Sequence, residues 1–229
     1  MRAGAIGLTA LALLLSIGCA SGGSKAVPPT LTASATPAPS AREIIQRSND
    51  AMNALQSVRV TTEVRPPDLN GSRKEVGEFV SPNRAHFVRT SPQDVFKSET
   101  IVIASDAWER YEPDGEWLSS PEASQPFAWP DFLRLEPRIG ISGEPLPVTE
   151  PSILREEAVG DRPAWVASYS YQEPSFEGPF NVFVTEWIEK ETYLLLREEH
   201  YDDDPYGVQA RVTDVYFDFD APITIQPPG

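Results

Sequence analysis

From Ser40 onward the chain runs through two hydrophobic periods in succession. Ile44, Ser48, Ala51, Met52 and Leu55 recur at three- and four-residue spacing, with Arg42, Gln46, Arg47, Asn49, Asp50 and Asn53 mostly on other faces. This predicts one amphipathic helix with an apolar stripe to bury. Ser40 and Glu43 open it at the spacing of a capping box, in which the hydroxyl accepts from the Glu43 amide and the carboxylate reaches back. After Gln56 the period drops to two: Val58, Val60, Thr62 and Val64 alternate with Arg59, Thr61, Glu63 and Arg65, a half-buried strand.

Further strand-like runs span 75–80, 84–89, 99–104, 107–111, 153–159, 164–171, 180–188, 193–201, 208–219 and 223–226. Turn signals such as Asn70-Gly71, Pro82-Asn83, Asp114-Gly115 and Gly160-Asp161 separate most of them. About eleven strands joined by tight turns predict a large antiparallel sheet rather than β-α units. The stretch from Pro121 to Pro151 reads as Pro-rich loop with a short helix around Asp131 to Leu135. Within 208–219, Val208, Ala210 and Val212 share one phase and Val215, Phe217 and Phe219 the other, which predicts a bulge near Thr213-Asp214. A two-residue turn at Lys190-Glu191 would put Trp187 opposite Leu194, Thr185 opposite Leu196 and Phe183 opposite Glu198. That face is apolar until its far end, whereas Glu186, Arg197 and Glu199 punctuate the other, so Phe183, Trp187, Leu194 and Leu196 are expected to point inward.

The first forty residues follow different rules. Arg2 precedes an apolar stretch at 3–17, shorter than the roughly 20 residues of a membrane-spanning helix, and small residues follow at once. Residues 1–18 therefore read as a signal peptide. Cys19 is the only cysteine, so it has no internal disulfide partner. Residues 20–40 are rich in Gly, Ser, Pro, Thr and Ala with little to bury, a disordered tether reaching about 25 Å or more. The folded domain is expected over 41–229.

Composition narrows the function classes. Nineteen basic residues stand against 34 acidic ones, a formal charge of −15, and a surface this acidic repels phosphate backbones. Nucleic acid is not an expected partner. No P-loop, Gly-x-Ser-x-Gly or His-Glu-x-x-His motif occurs, and His86 and His200 are far apart in sequence. No catalytic residue, cofactor or metal site is expected, so the reading is not an enzyme. Tyr201 to Gly207 lacks the alternating acids of a calcium loop and reads as a hairpin turn.

Several stretches, in their order, carry a family likeness. Leu15-Ser16-Ile17-Gly18-Cys19 resembles a bacterial lipobox, with Ser16 at a position where Leu is commonest. The helix-to-strand run 41–64, "GEFVSPNRAHF" at 77–87, "ETIVIASDAWERYEPDGEW" at 99–117, "TEWIEKETYLLLREEHY" at 185–201 and "FDFDAPITIQPP" at 217–228 follow. Together they are similar to the LolA/LppX/LprG-like lipoprotein-carrier superfamily, with Glu189 where that family's hairpin usually has Asp. The resemblance implies a mainly β (α+β) fold, an incomplete β-barrel whose concave side is covered by helix and accepts acyl chains of lipids or lipidated proteins. It also implies a lipidated Cys19, hence an extracytoplasmic, membrane-anchored protein, read here as a monomer. Met52, Leu55, Phe183, Trp187, Leu194 and Leu196 are then the expected lining of the acyl cavity. The other reading of the same fold is a protein-interaction or envelope-sensing module with a filled core.

Thiol lipidation makes a direct prediction. Cys19→Ala is expected to move the protein from the membrane fraction to the soluble fraction on cell fractionation. Unchanged membrane retention of that variant would overturn the anchor.

Overall fold

Helix α1 (Ala41–Asn53) begins where its capping box requires. The Glu43 amide donates to Ser40 Oγ at 3.2 Å and the Ser40 amide donates to Glu43 Oε2 at 2.8 Å, so two otherwise unpaired amides are satisfied reciprocally. Its buried stripe is Ala41, Ile44, Ile45, Ser48 and Met52. This computed structural model describes residues 38–65, 72–91, 93, 95–119, 146–173, 178–202 and 210–229. Of the Pro-rich loop expected over Pro121 to Pro151, residues 121–145, with the short helix expected around Asp131 to Leu135, lie outside them.

Among the described residues, eleven strands follow the helix. They are β1 (Ser57–Arg65), β2 (Arg73–Val80), β3 (Arg84–Thr90), β4 (Phe96–Ile103), β5 (Asp106–Arg110), β6 (Leu118–Ser119), β7 (Ser152–Val159), β8 (Arg162–Glu173), β9 (Phe180–Glu189), β10 (Leu195–Asp202) and β11 (Arg211–Phe217). They form one antiparallel sheet in the order β6-β5-β4-β3-β2-β1-β11-β10-β9-β8-β7, which does not close on itself. The first six strands step outward from the middle, the last five step inward from the opposite edge, and β1 meets β11 at the centre. The fold is thus the incomplete barrel expected, with α1 on one face.

That inner face holds the main core. Ile44, Ile45 and Met52 of α1 pack with Val58, Val60, Phe79, Ala85, Val102, Ile188, Leu195 and Tyr216 from seven strands. Alternation along each strand puts every second side chain on this face. Gly77 makes room for the core: a Cβ there would sit 2.9 Å from Phe79 Cε2 and 3.0 Å from Val60 Cγ1. Above it the Phe79 and Phe87 rings meet edge to face, with centroids 5.3 Å apart.

Two expectations about the C-terminal part are corrected. Residues 223–226 form no strand, although Ile225 is buried. Side-chain ties hold this tail instead: Arg84 donates to the Ile225 carbonyl at 2.8 Å, the Gln56 amide donates to Asp220 Oδ1 at 2.6 Å and Ser57 Oγ donates to the Ala221 carbonyl at 2.5 Å. The bulge expected at Thr213-Asp214 is also absent, because β11 pairs without interruption with both β1 and β10. Its apolar face never switches. Val212, Asp214 and Tyr216 all face inward, Asp214 occupying a core-facing position, and Val215 is left exposed on the other side.

The helix offers two opposite stability tests, both read by urea denaturation. Met52 is fully buried, so Met52→Ala is expected to cost about 2–5 kcal/mol. Ser48 is equally buried and its hydroxyl has no hydrogen-bond partner among the described residues, so Ser48→Ala is expected to stabilise by about 1 kcal/mol.

Candidate functional site

The inner face is the candidate site, and the β9–β10 hairpin decides which side chains it presents. The turn is longer than two residues. The Glu189 amide donates to the Leu194 carbonyl at 2.9 Å, the Tyr193 amide donates to the Glu189 carbonyl at 3.0 Å, and Tyr193 adopts φ 61°. Glu189 anchors the turn by accepting from Arg162 through both carboxylate oxygens, each at 2.5 Å, and from Thr192. The Arg162 hydrogen bonds hold its carboxyl below the usual range despite partial burial. Arg47 of α1 donates to the Tyr193 hydroxyl at 2.7 Å, which ties the helix to the same turn.

Beyond the turn Leu195 faces Ile188, and a register shift then makes Arg197 face Trp187, Glu198 face Glu186, Glu199 face Thr185 and Tyr201 face Phe183. The longer turn moves the pairing by two residues, and the bulge at Leu196 exchanges the faces of β10. The six residues proposed from the sequence are therefore split. Met52 and Leu55 lie in the main core, and Leu194 packs partly buried against it. Trp187 and Leu196 lie on the outer face, in a separate cluster with Ala164 and Val166. Arg197 and Arg155 cover the Trp187 ring, at 4.6 and 5.9 Å from its centroid. Phe183, half buried, stacks on Tyr201 with centroids 4.8 Å apart. Cys19 is outside the described residues.

The residues of this hairpin that face inward are Val182, Val184, Glu186 and Ile188 of β9, with Leu195, Glu198 and His200 of β10. Near α1 the inner face is apolar. One step further along the strands, a polar row crosses it: Glu186 faces Glu198, Glu198 faces Asp214, Asp214 faces Thr62 and Thr62 faces Glu75. Glu186 is fully buried; its Oε1 accepts from the Tyr169 hydroxyl at 2.8 Å, while Oε2 has no partner among the described residues. Burial first, and then the neighbouring Glu198 charge, push its carboxyl well above the ordinary value. Burial likewise raises Asp214, to about 6, although Thr62 Oγ1 donates to its Oδ1 at 2.5 Å. Burial beside Glu198, Asp214 and Glu186 also raises the Tyr216 phenol. His200 Nδ1 stands 3.3 Å from Glu198 Oε1, and Arg89 donates to Glu75 at 2.9 Å.

At the Tyr201 end of β9 and β10, a groove of about 390 Å³ is lined by Thr185, Glu199, His200, Tyr201 and Arg211, and Glu199 accepts from both Arg197 and Arg211. Its lining is too polar to suit an acyl chain. His86 bridges Glu78 and Glu99 at 3.3 and 2.7 Å. The carboxylate row is hard to see in the sequence because acids at alternate strand positions normally mark the solvent side. The only signal that could have found it was the conflict between phases in β9 and β11.

No protein-family model and no curated protein matches the chain. Solved structures do. LprF from Mycobacterium bovis superposes with a TM-score of 0.54 at 18% identity, over 82% of this chain and 97% of that one. The lipoprotein LppX from Mycobacterium tuberculosis gives 0.52 at 16% identity, over 80% of this chain and 96% of that one. The chain has the LolA/LppX/LprG-like fold.

The buried Tyr169–Glu186 contact can be measured by a double-mutant cycle in urea. Tyr169→Phe is expected to cost about 1–3 kcal/mol, because it leaves a second buried carboxylate oxygen unpaired. In a Glu186→Leu background the same change is expected to cost less than about half of that.

Proposed function

We propose that this protein is a lipoprotein anchored through Cys19 to the outer side of the bacterial cell membrane, and that its domain binds an acyl chain of a lipid or lipidated protein on the inner face of the sheet. The carrying observation is the apolar belt between α1 and an unclosed sheet, built from Met52, Leu55, Val184, Ile188 and Leu195. A helix resting on an open sheet can be displaced without breaking a strand ladder, so a chain can enter where Ile44, Ile45 and Met52 now pack. LprF and LppX share this fold, and LppX is a lipoprotein. Cys19 lipidation would hold the domain at the membrane on the tether at 20–40. The chemistry is burial alone, which needs no catalytic group and no cofactor. The lining assigned here replaces Phe183, Trp187 and Leu196 by Val184, Ile188 and Leu195, since the former three belong to the outer side of β9–β10.

The protein-interaction reading retains one specific observation in its favour: Ile44, Ile45, Ile188 and Leu195 pack together with at most 1% exposure, as in a filled core.

Native mass spectrometry of the protein purified from bacterial membranes distinguishes the two. A co-purified lipid at one per chain is expected. Burial of each methylene is worth about 0.8 kcal/mol, so shortening a bound fatty acid by one CH₂ is expected to weaken binding about fourfold in a displacement assay. A lipid-free parent protein that also shows no dependence on chain length would leave the interaction module.

A further inference from the structure

We propose that Glu198, His200 and Asp214 form a binding site for a divalent transition-metal ion of the zinc type on the inner face of the sheet. One ligand atom from each lies within 4.8 Å of the others. The His200 Nδ1 to Glu198 Oε1 separation of 3.3 Å is about the edge of a tetrahedron with metal–ligand bonds of about 2.0 Å. The backbone sets this convergence: Glu198 and Asp214 are a cross-strand pair on β10 and β11, and His200 is two residues along β10 on the same face.

A group of acids facing one another is common on protein surfaces, and the distinguishing feature here is Glu186. It stands opposite Glu198 on β9, fully buried, with Oε2 unpartnered among the described residues. A buried oxygen with no donor, beside a second carboxylate, lacks positive charge. The groups facing it across the inner face are Glu198 and His200 on β10, Asp214 on β11, Glu75 and Arg73 on β2, Arg89 on β3 and Tyr169 on β8; Arg89 is bound to Glu75. A dication at Glu198, His200 and Asp214 would supply positive charge beside Glu186.

The surroundings also orient the ligands as outer-shell groups do in metal sites. Thr62 Oγ1 donates to one Asp214 oxygen and leaves the other, and the Tyr169 hydroxyl fixes Glu186. Two carboxylates and an imidazole suit zinc or manganese better than the all-oxygen shells of magnesium and calcium. The three donors reside on two adjacent strands beside the sheet's central seam, so a bound ion cross-links β10 to β11.

The test uses the full-length protein in detergent, stripped with a chelator and titrated with Zn²⁺ by calorimetry near pH 7 in excess Mg²⁺, which masks loose acidic surface sites. One Zn²⁺ per chain is expected, with a rise in Tm. His200→Gln and Asp214→Asn are each expected to weaken binding at least tenfold, and Glu157→Gln on edge strand β7 to leave it unchanged. Glu198→Gln supplies a folded reference, because removing a charge from the crowded row is expected to keep or raise the metal-free Tm while abolishing its response to Zn²⁺. Absence of stoichiometric Zn²⁺ binding under Mg²⁺, or parent affinity in the His200 and Asp214 variants, would overturn the site. Lipid co-purification is independent of this outcome.

Discussion

Among the described residues the antiparallel sheet does not close on itself, so its inner face can be buried only by what covers it. Among the described residues the cover is α1. Ile44, Ile45 and Met52 are each at most 1% exposed, and burying three such side chains is worth roughly 5–8 kcal/mol, comparable to the whole net stability of an ordinary domain. The capping box, the Arg47–Tyr193 bond and the Glu189–Arg162 clamp all set the position of this one helix relative to the β9–β10 turn. The helix covers the face without being woven into the strand ladder.

The second constraint is the seam where β1 meets β11. Strands from opposite ends of the domain pair there, so the sheet is continuous only once the most distant parts of the chain have met. Polar ties cross or flank it: Thr62 to Asp214, Arg59 to Asp218 and to Glu78, and the Gln56 and Ser57 bonds to the C-terminal tail. The polar row of the inner face runs through this seam. It places Glu186, Glu198 and Asp214 on positions that an apolar core would fill with aliphatic side chains, and burial opposes the ionisation of Glu186 and Asp214. The inner face therefore has two chemistries, an apolar belt beneath the helix and a carboxylate row one step beyond it.

Much of the architecture was legible from local pattern alone. The switch from helical to alternating period at Gln56 located α1 and β1, and ten of the expected strand runs correspond to observed strands; Leu118–Ser119 supplies the eleventh in place of 223–226. What failed was the assignment of faces, and it failed wherever a carboxylate points inward. Glu186 made the true inner face of β9 look solvated, which turned Trp187 and Leu196 the wrong way; Asp214 made β11 look as if its apolar side changed.

The sequence by itself determined the periods, the cap and the Gly/Pro-rich front, because each rests on the dihedral and hydrogen-bonding preferences of a few neighbouring residues. Only the tertiary structure decided the register of β9 against β10, the partner of β11 and the inward placement of Glu186, Glu198, His200 and Asp214. A one-residue bulge costs little locally yet exchanges every side chain beyond it between faces, and a carboxylate is accepted inside only when partners from other strands, such as Tyr169 and Thr62, arrive to meet it.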